Sequence, residues 1–220
     1  MTRQHTNGFT LIEMLTVLAI IAVLLAATLP TVTHLVKSSG LTVATREVSN
    51  TLSLARQLAI TQRVYARVVF PYSATGSVPN KDMQYRAYAV ITNQVNTTTA
   101  FQEWRYASKW EYLPVGVVFL NAIPGGGLGA LDDTSSLDTE SLPFPEPGAF
   151  GQLAYIEFNP TGVAAPLTTG TLGSSTLAIT EGFTSGGTPT ATSRTISNTM
   201  ANYATITVDA LVGRIQVTRP

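Results

Sequence analysis

Between Gly8 and Leu29 the chain reads GFTLIEMLTVLAIIAVLLAATL, with Glu13 as its only formally charged residue. About 20 residues of helix rise about 30 Å, enough to cross the hydrocarbon layer of a bilayer. Few fates are open to such a segment. Arg3 as a weakly positive start, with Leu25-Ala26-Ala27 as a poor small-residue cleavage site, gives the reading of a discarded secretory leader. A plain membrane anchor explains the length better. Neither accounts for Glu13, because an isolated carboxylate in an apolar segment is costly and usually has a partner or a task.

Gly8-Phe9-Thr10-Leu11-Ile12-Glu13, leading directly into the apolar run, resembles the N-terminal signature of type IV prepilins and of the pseudopilins of type II secretion. The resemblance implies a leader at 1–8, cut by a prepilin peptidase between Gly8 and Phe9 on the cytoplasmic side, and N-methylation of Phe9. It implies a membrane-spanning and filament-core helix at 9–30, with Pro30 where many members carry a helix-bending proline. On the same resemblance Glu13 would pair with the methylated amine of a neighbouring subunit, since a carboxylate entering an apolar bundle needs pairing, the alternative being the amine of its own chain four residues away. Three further segments resemble the GspH/FimT class of minor subunits: Leu52 to Ile60 followed by Tyr65 to Phe70, Ile156-Glu157-Phe158-Asn159-Pro160-Thr161-Gly162, and Val212-Gly213-Arg214-Ile215-Gln216-Val217-Thr218-Arg219.

Residue patterns give the same architecture independently. Leu41, Ala44, Val48, Leu52, Ala55 and Ala59 recur at steps of three or four, the stripe of a helix that covers a sheet. Ser38-Ser39-Gly40 is a candidate local interruption, since glycine costs about 1 kcal/mol inside a helix. After Arg63 the period becomes extended. Tyr65 to Phe70, Tyr85 to Ile91, Val115 to Leu120, Tyr155 to Phe158, Thr176 to Thr180, Ala204 to Val208 and Gly213 to Thr218 read as strands. Antiparallel pairing is expected, because no helical pattern after Gln62 provides crossovers. These patterns give the expectation of an α+β fold, one long N-terminal helix packed on antiparallel sheet with a second small sheet or hairpin, and the resemblance implies that it is pilin-like. With the resemblance, an external amphipathic helix is expected at 31–66 before a β-rich periplasmic region at 67–220. Surface loops are expected at 121–150 and 182–198, where Gly, Ser, Thr, Pro and acidic residues dominate.

Chemistry is sparse in this sequence. Thirteen basic residues balance thirteen acidic ones, which removes the long-range attraction of a strongly basic nucleic-acid binder. There is no cysteine, and the histidines are His5, within the leader, and His34, beside the membrane segment, so neither a thiolate nor a His-rich metal site is expected. Asp132, Asp133, Asp138 and Glu140 lack the spacing of an EF-hand. Trp104 and Trp110 are expected as sheet packing residues, and no catalytic residue or cofactor is expected. The resulting expectation is a non-enzymatic minor subunit of a type II secretion pseudopilus or type IV pilus, single-pass in the inner membrane before assembly. Its partners would be the prepilin peptidase, other pilin-like subunits and an inner-membrane assembly platform. Two alternatives stand beside it: a FimT-like DNA-uptake subunit with Arg214 and Arg219 on phosphates, extended by Arg86, Arg105 or Lys109, and a membrane-anchored envelope protein of unidentified activity. Against the DNA reading, arginines on an edge strand also serve to discourage unwanted pairing.

Overall fold

A computed structural model describes residues 10–71, 81–95, 102–124, 131, 137–138, 153–164, 174–192, 195–196, 199–200 and 202–219, the side chains of 26–38, 81, 95, 102, 137–138, 195–196 and 199–200 excepted. The chain divides into two compact units, Met1–Ser39 and Gly40–Pro220. Helix α1 (Leu11–Gln62) continues through Ser38-Ser39-Gly40, so the expected interruption is not made. Helical hydrogen bonds tolerate one glycine when its neighbours supply the stability, and Gly40 packs 3.4 Å, by the position a Cβ would take, from Val117.

In the first unit every described side chain from Thr10 to Leu25 is exposed, including Leu11, Met14, Leu18 and Leu24. Among the described residues no helix is long and apolar enough to cross a membrane.

The second unit is built from antiparallel pairings. One sheet runs β3 (Gln102–Tyr106), β2 (Ala87–Val95), β1 (Ala66–Pro71), β7 (Leu153–Phe158), β6 (Leu137–Asp138), with β4 (Glu111–Tyr112) also on β2. A second runs β13 (Ile215–Thr218), β12 (Tyr203–Val208), β8 (Ser175–Ser185), β5 (Val117–Leu120), with β9 (Thr188–Ala191) also on β8. β10 (Thr195–Ile196) and β11 (Thr199–Met200) form a short hairpin. Leu41, Ala44, Val48, Leu52, Ala55 and Ala59, the stripe read from the sequence, are all buried. They share one core with Val68, Phe70 and Ile156 of the first sheet and with Phe119, Ile179 and Ile206 of the second. Burying this stripe against both sheets is what makes α1 stable from Leu41 onward, since helix propensity alone contributes little.

Two boundaries differ from expectation. The helix stops at Gln62, not at 66: Arg63 takes φ +56 and the Val64 N–H donates to the Ala59 carbonyl at 3.2 Å, a left-handed cap that turns the chain into β1. Residues 182–198 are not one loop, because β8 continues to Ser185 and β9 returns along it. Gly186 and Gly187, at φ +59 and +86, close that hairpin in two residues, and only such positive φ values match the twist of the flanking strands. Of 121–150, Leu137–Asp138 pairs with β7, and most of the rest lies outside the described residues.

Candidate functional site

At the amino end, Gly8 and Phe9 lie outside the described residues, as does the side chain of Pro30. Glu13 is described, and its carboxylate is engaged locally. Glu13 Oε2 accepts from the Thr10 N–H and from Thr10 Oγ1, both at 2.9 Å, while Thr10 Oγ1 accepts from the Glu13 N–H at 3.3 Å. This is a reciprocal capping box that satisfies two otherwise orphaned donors of the first turn. Thr10-x-x-Glu13 is the sequence signal for it, whereas the expectation from sequence paired Glu13 with an amine, of a neighbouring subunit or of its own chain, and not with Thr10. Around this cap the exposed apolar side chains form a continuous surface that water does not favour.

The two short motifs that resembled the GspH/FimT class meet on α1. After β7, Asn159 Oδ1 accepts from the backbone of Thr161 and Val163, each at 3.0 Å, and folds the turn that carries Gly162 at φ +81. After β12, Asp209 Oδ1 accepts from the Leu211 N–H at 2.8 Å, and Gly213 follows at φ +61. Arg56 joins them: its Nε–H donates to the Gly162 carbonyl and its Nη2–H to the Val212 carbonyl, both at 3.0 Å. A methyl group on Gly213 would stand 2.0 Å from the Gly162 carbonyl oxygen, so the two turns touch backbone to backbone. Arg56 thereby ties the helix to one turn of each sheet. Its partners are 106 and 156 residues away, which is why the sequence did not reveal the junction.

Arg214 and Arg219 lie at opposite ends of β13. Arg214 shares a cleft with Arg56, Ser53, Thr61 and Ile215; Arg219 shares another with Arg46, Thr45, Ser49 and Val217, and its Nη1–H donates to Thr42 Oγ1 at 3.1 Å. No carboxylate lines either cleft among the described residues. Arg86, Arg105 and Lys109 do not line them either, and Arg105 pairs with Glu103 at 3.4 Å. Each candidate phosphate contact therefore has a second arginine beside it, supplied by α1 and not by the residues the sequence had suggested.

Elsewhere the polar groups serve packing. Arg67 lies 4.0 Å from the Trp104 ring centre and 4.2 Å from that of Tyr155, and its Nε–H donates to Glu157 Oε2 at 2.6 Å. Trp110 packs edge-on to Tyr106. Tyr88 is buried and hydrogen-bonded to Glu111 and Thr51; burial, with the charges of Glu111 and Glu47, pushes its phenol well above the usual range. Burial raises Tyr106 as well. Raised phenols stay protonated at neutral pH and supply no general base. No group of three or more His, Cys, Asp and Glu suited to a metal ion occurs among the described residues.

Residues 3–29 match the family model described as the prokaryotic N-terminal methylation motif. No curated protein matches the sequence significantly. Among solved structures the chain is similar to the type IV minor pilin FimU of Pseudomonas aeruginosa, at 14% identity over 82% of this chain and 90% of that one, with a TM-score of 0.38. The amino-terminal segment of this chain thus carries the prokaryotic N-terminal methylation motif across residues 3–29.

Proposed function

We propose that the chain is a non-enzymatic minor subunit of a type II secretion pseudopilus or a type IV pilus, of the GspH/FimT class. The observation that carries this reading is the methylation motif running directly into a helix whose described apolar side chains from Leu11 to Leu25 are all exposed. Such a surface is stable only in lipid or against other helices, and a filament subunit uses both in turn. In this account the prepilin peptidase removes residues 1–8 and Phe9 is methylated. The helix holds the subunit in the inner membrane with its β-rich part in the periplasm, and the assembly platform then transfers it into a filament of pilin-like subunits. Glu13 first caps its own helix through Thr10 and then pairs with the methylated amine of a neighbour as the subunit enters. The test is crosslinking of the chain in cells under secretion or piliation conditions. Crosslinks to other pilin-like subunits support the reading, and a chain that remains a monomer in the membrane contradicts it.

A second reading, adsorption of DNA during uptake, is favoured by the two paired-arginine clefts at Arg56 with Arg214 and at Arg46 with Arg219. It requires salt-sensitive DNA binding that the double variant R214A/R219A weakens. Absence of binding at low salt removes it.

A further inference from the structure

β13 is an edge strand: it pairs with β12, and with no other strand among the described residues. Its register, with Asp209 N–H donating to the Arg214 carbonyl, makes 214, 216 and 218 the residues bonded to β12. Antiparallel pairing alternates, so the N–H and C=O groups of Ile215 and Val217 point to the open side. Those two residues line the two clefts, Ile215 beside Arg56 and Arg214, Val217 beside Arg46 and Arg219. The clefts measure about 580 and 270 Å³. The ten residues from Arg46 to Arg56 advance about 15 Å along a helix, and the five from Arg214 to Arg219 about 17 Å along a strand. The two arginines of the helix and the two that flank the strand are thus separated by a similar rise of backbone, with the open positions of Ile215 and Val217 between Arg214 and Arg219. Arg46 and Arg214 form no ion pair among the described residues.

We propose that the open edge of β13 receives an extended acidic segment of a neighbouring subunit, which adds to the sheet as a strand and sets its carboxylates against Arg46, Arg56, Arg214 and Arg219. That the segment comes from a neighbour rests on the filament-subunit reading above. A peptide matches this edge better than a nucleic-acid backbone does. Ile215 and Val217 offer donors and acceptors in alternation, and a phosphodiester has no donor for their carbonyls. Val217 on the strand, and Leu211 and Val212 in the turn that precedes it, add exposed apolar side chains for a partner to cover. The arginines also explain how the edge stays unpaired until that partner arrives: like charges keep two copies of β13 apart.

The experiment uses the full chain in detergent micelles and a fluorescein-labelled peptide alternating glutamate with valine. Three comparisons accompany it: the same peptide with glutamine for glutamate, a single-stranded oligonucleotide, and the variants R214A/R219A and V217P. Val217→Pro removes one outward N–H while leaving the bonds to β12 in place, as proline is tolerated on such an edge. The expected result is saturable, salt-sensitive binding of the glutamate peptide, with slowed amide exchange at Ile215 and Val217. R214A/R219A weakens it about tenfold or more, the loss expected when charge-assisted contacts are removed, and V217P weakens it further than it weakens any oligonucleotide binding. Circular dichroism checks the folding of both variants; if either fails to fold, the exchange of the two amides in the unaltered chain decides. Binding without protection of those amides overturns the proposal. So does equal binding of the glutamine peptide, or binding of the oligonucleotide alone. Phe9 processing, measured on the same preparations, and crosslinking in cells score the filament reading separately, so loss of peptide binding with both intact refutes only the docking edge.

Discussion

Replacing Gly213 by alanine asks a methyl group to enter space already filled by backbone. Two terms set the cost. Gly213 has φ +61, where an L side chain costs about 1–2 kcal/mol. The added Cβ would also lie 2.0 Å from the Gly162 carbonyl oxygen and 2.9 Å from Arg56 Nε. A carbonyl in a turn cannot rotate aside as a side chain can, so relief requires the two turns to part, at about 1–3 kcal/mol for forced overpacking. The sum is about 2–5 kcal/mol, a large share of the stability of an ordinary domain. Gly186 supplies the control, because it has nearly the same φ, +59, and nothing within 4 Å of its added Cβ. G186A should therefore lose only the backbone share. Urea unfolding of the full chain in detergent micelles, followed by the fluorescence of Trp104 and Trp110, should place the G213A midpoint below that of G186A by about 1 M at unchanged slope. Coincident midpoints would refute the backbone contact between the turns, and with it the junction at Arg56.

Arg63→Gly should stabilise the chain by about 0.5–1 kcal/mol, because Arg63 caps α1 in the left-handed region where glycine is unstrained; a lowered urea midpoint contradicts this. Tyr88→Phe should cost about 1 kcal/mol at neutral pH through its lost hydrogen bonds. Because burial and the charges of Glu111 and Glu47 raise the folded phenol above its unfolded value near 10, the wild-type advantage is intact below that pH and drains as pH rises past it. The two stability curves should therefore converge in alkaline urea titrations, and a constant gap sinks the assignment. Glu13→Gln retains a capping side chain and removes the charge, whereas Glu13→Ala removes both. Equal membrane levels with reduced incorporation into filaments for both variants support a role for the charge; normal incorporation of E13Q leaves Glu13 with the cap alone.

What was legible in the sequence follows from where packing is local. The buried stripe from Leu41 to Ala59 was legible because a helix repeats within four residues, and the core strands because Val68 to Phe70 and Ala204 to Val208 carry branched or apolar side chains. β3 was not, since Gln102-Glu103-Trp104-Arg105-Tyr106 lies at the margin of its sheet and holds its place through partners such as Arg67 on Trp104. β9 was hidden by composition: Gly182 lies mid-strand where a Cβ would meet the Thr190 carbonyl at 2.3 Å, so a residue that reads as a loop is there to admit a neighbouring backbone. Of the candidate site, Glu13, Arg214 and Arg219 were named from sequence. Arg46 and Arg56 were not named as site residues, because nothing local distinguishes them from other polar positions on the exposed flank of α1.

The central claim is that this chain is made as a prepilin and enters a filament through its amino end, and the mass of its mature N terminus tests that most directly. Tandem mass spectrometry of the protein recovered from membranes should find it beginning at Phe9 with one added methyl group, and Gly8 substitutions carrying a larger side chain should leave the precursor uncut. A mature chain beginning near Ala27 would contradict the account, because the exposed apolar helix and Glu13 would then have been discarded with a secretory leader.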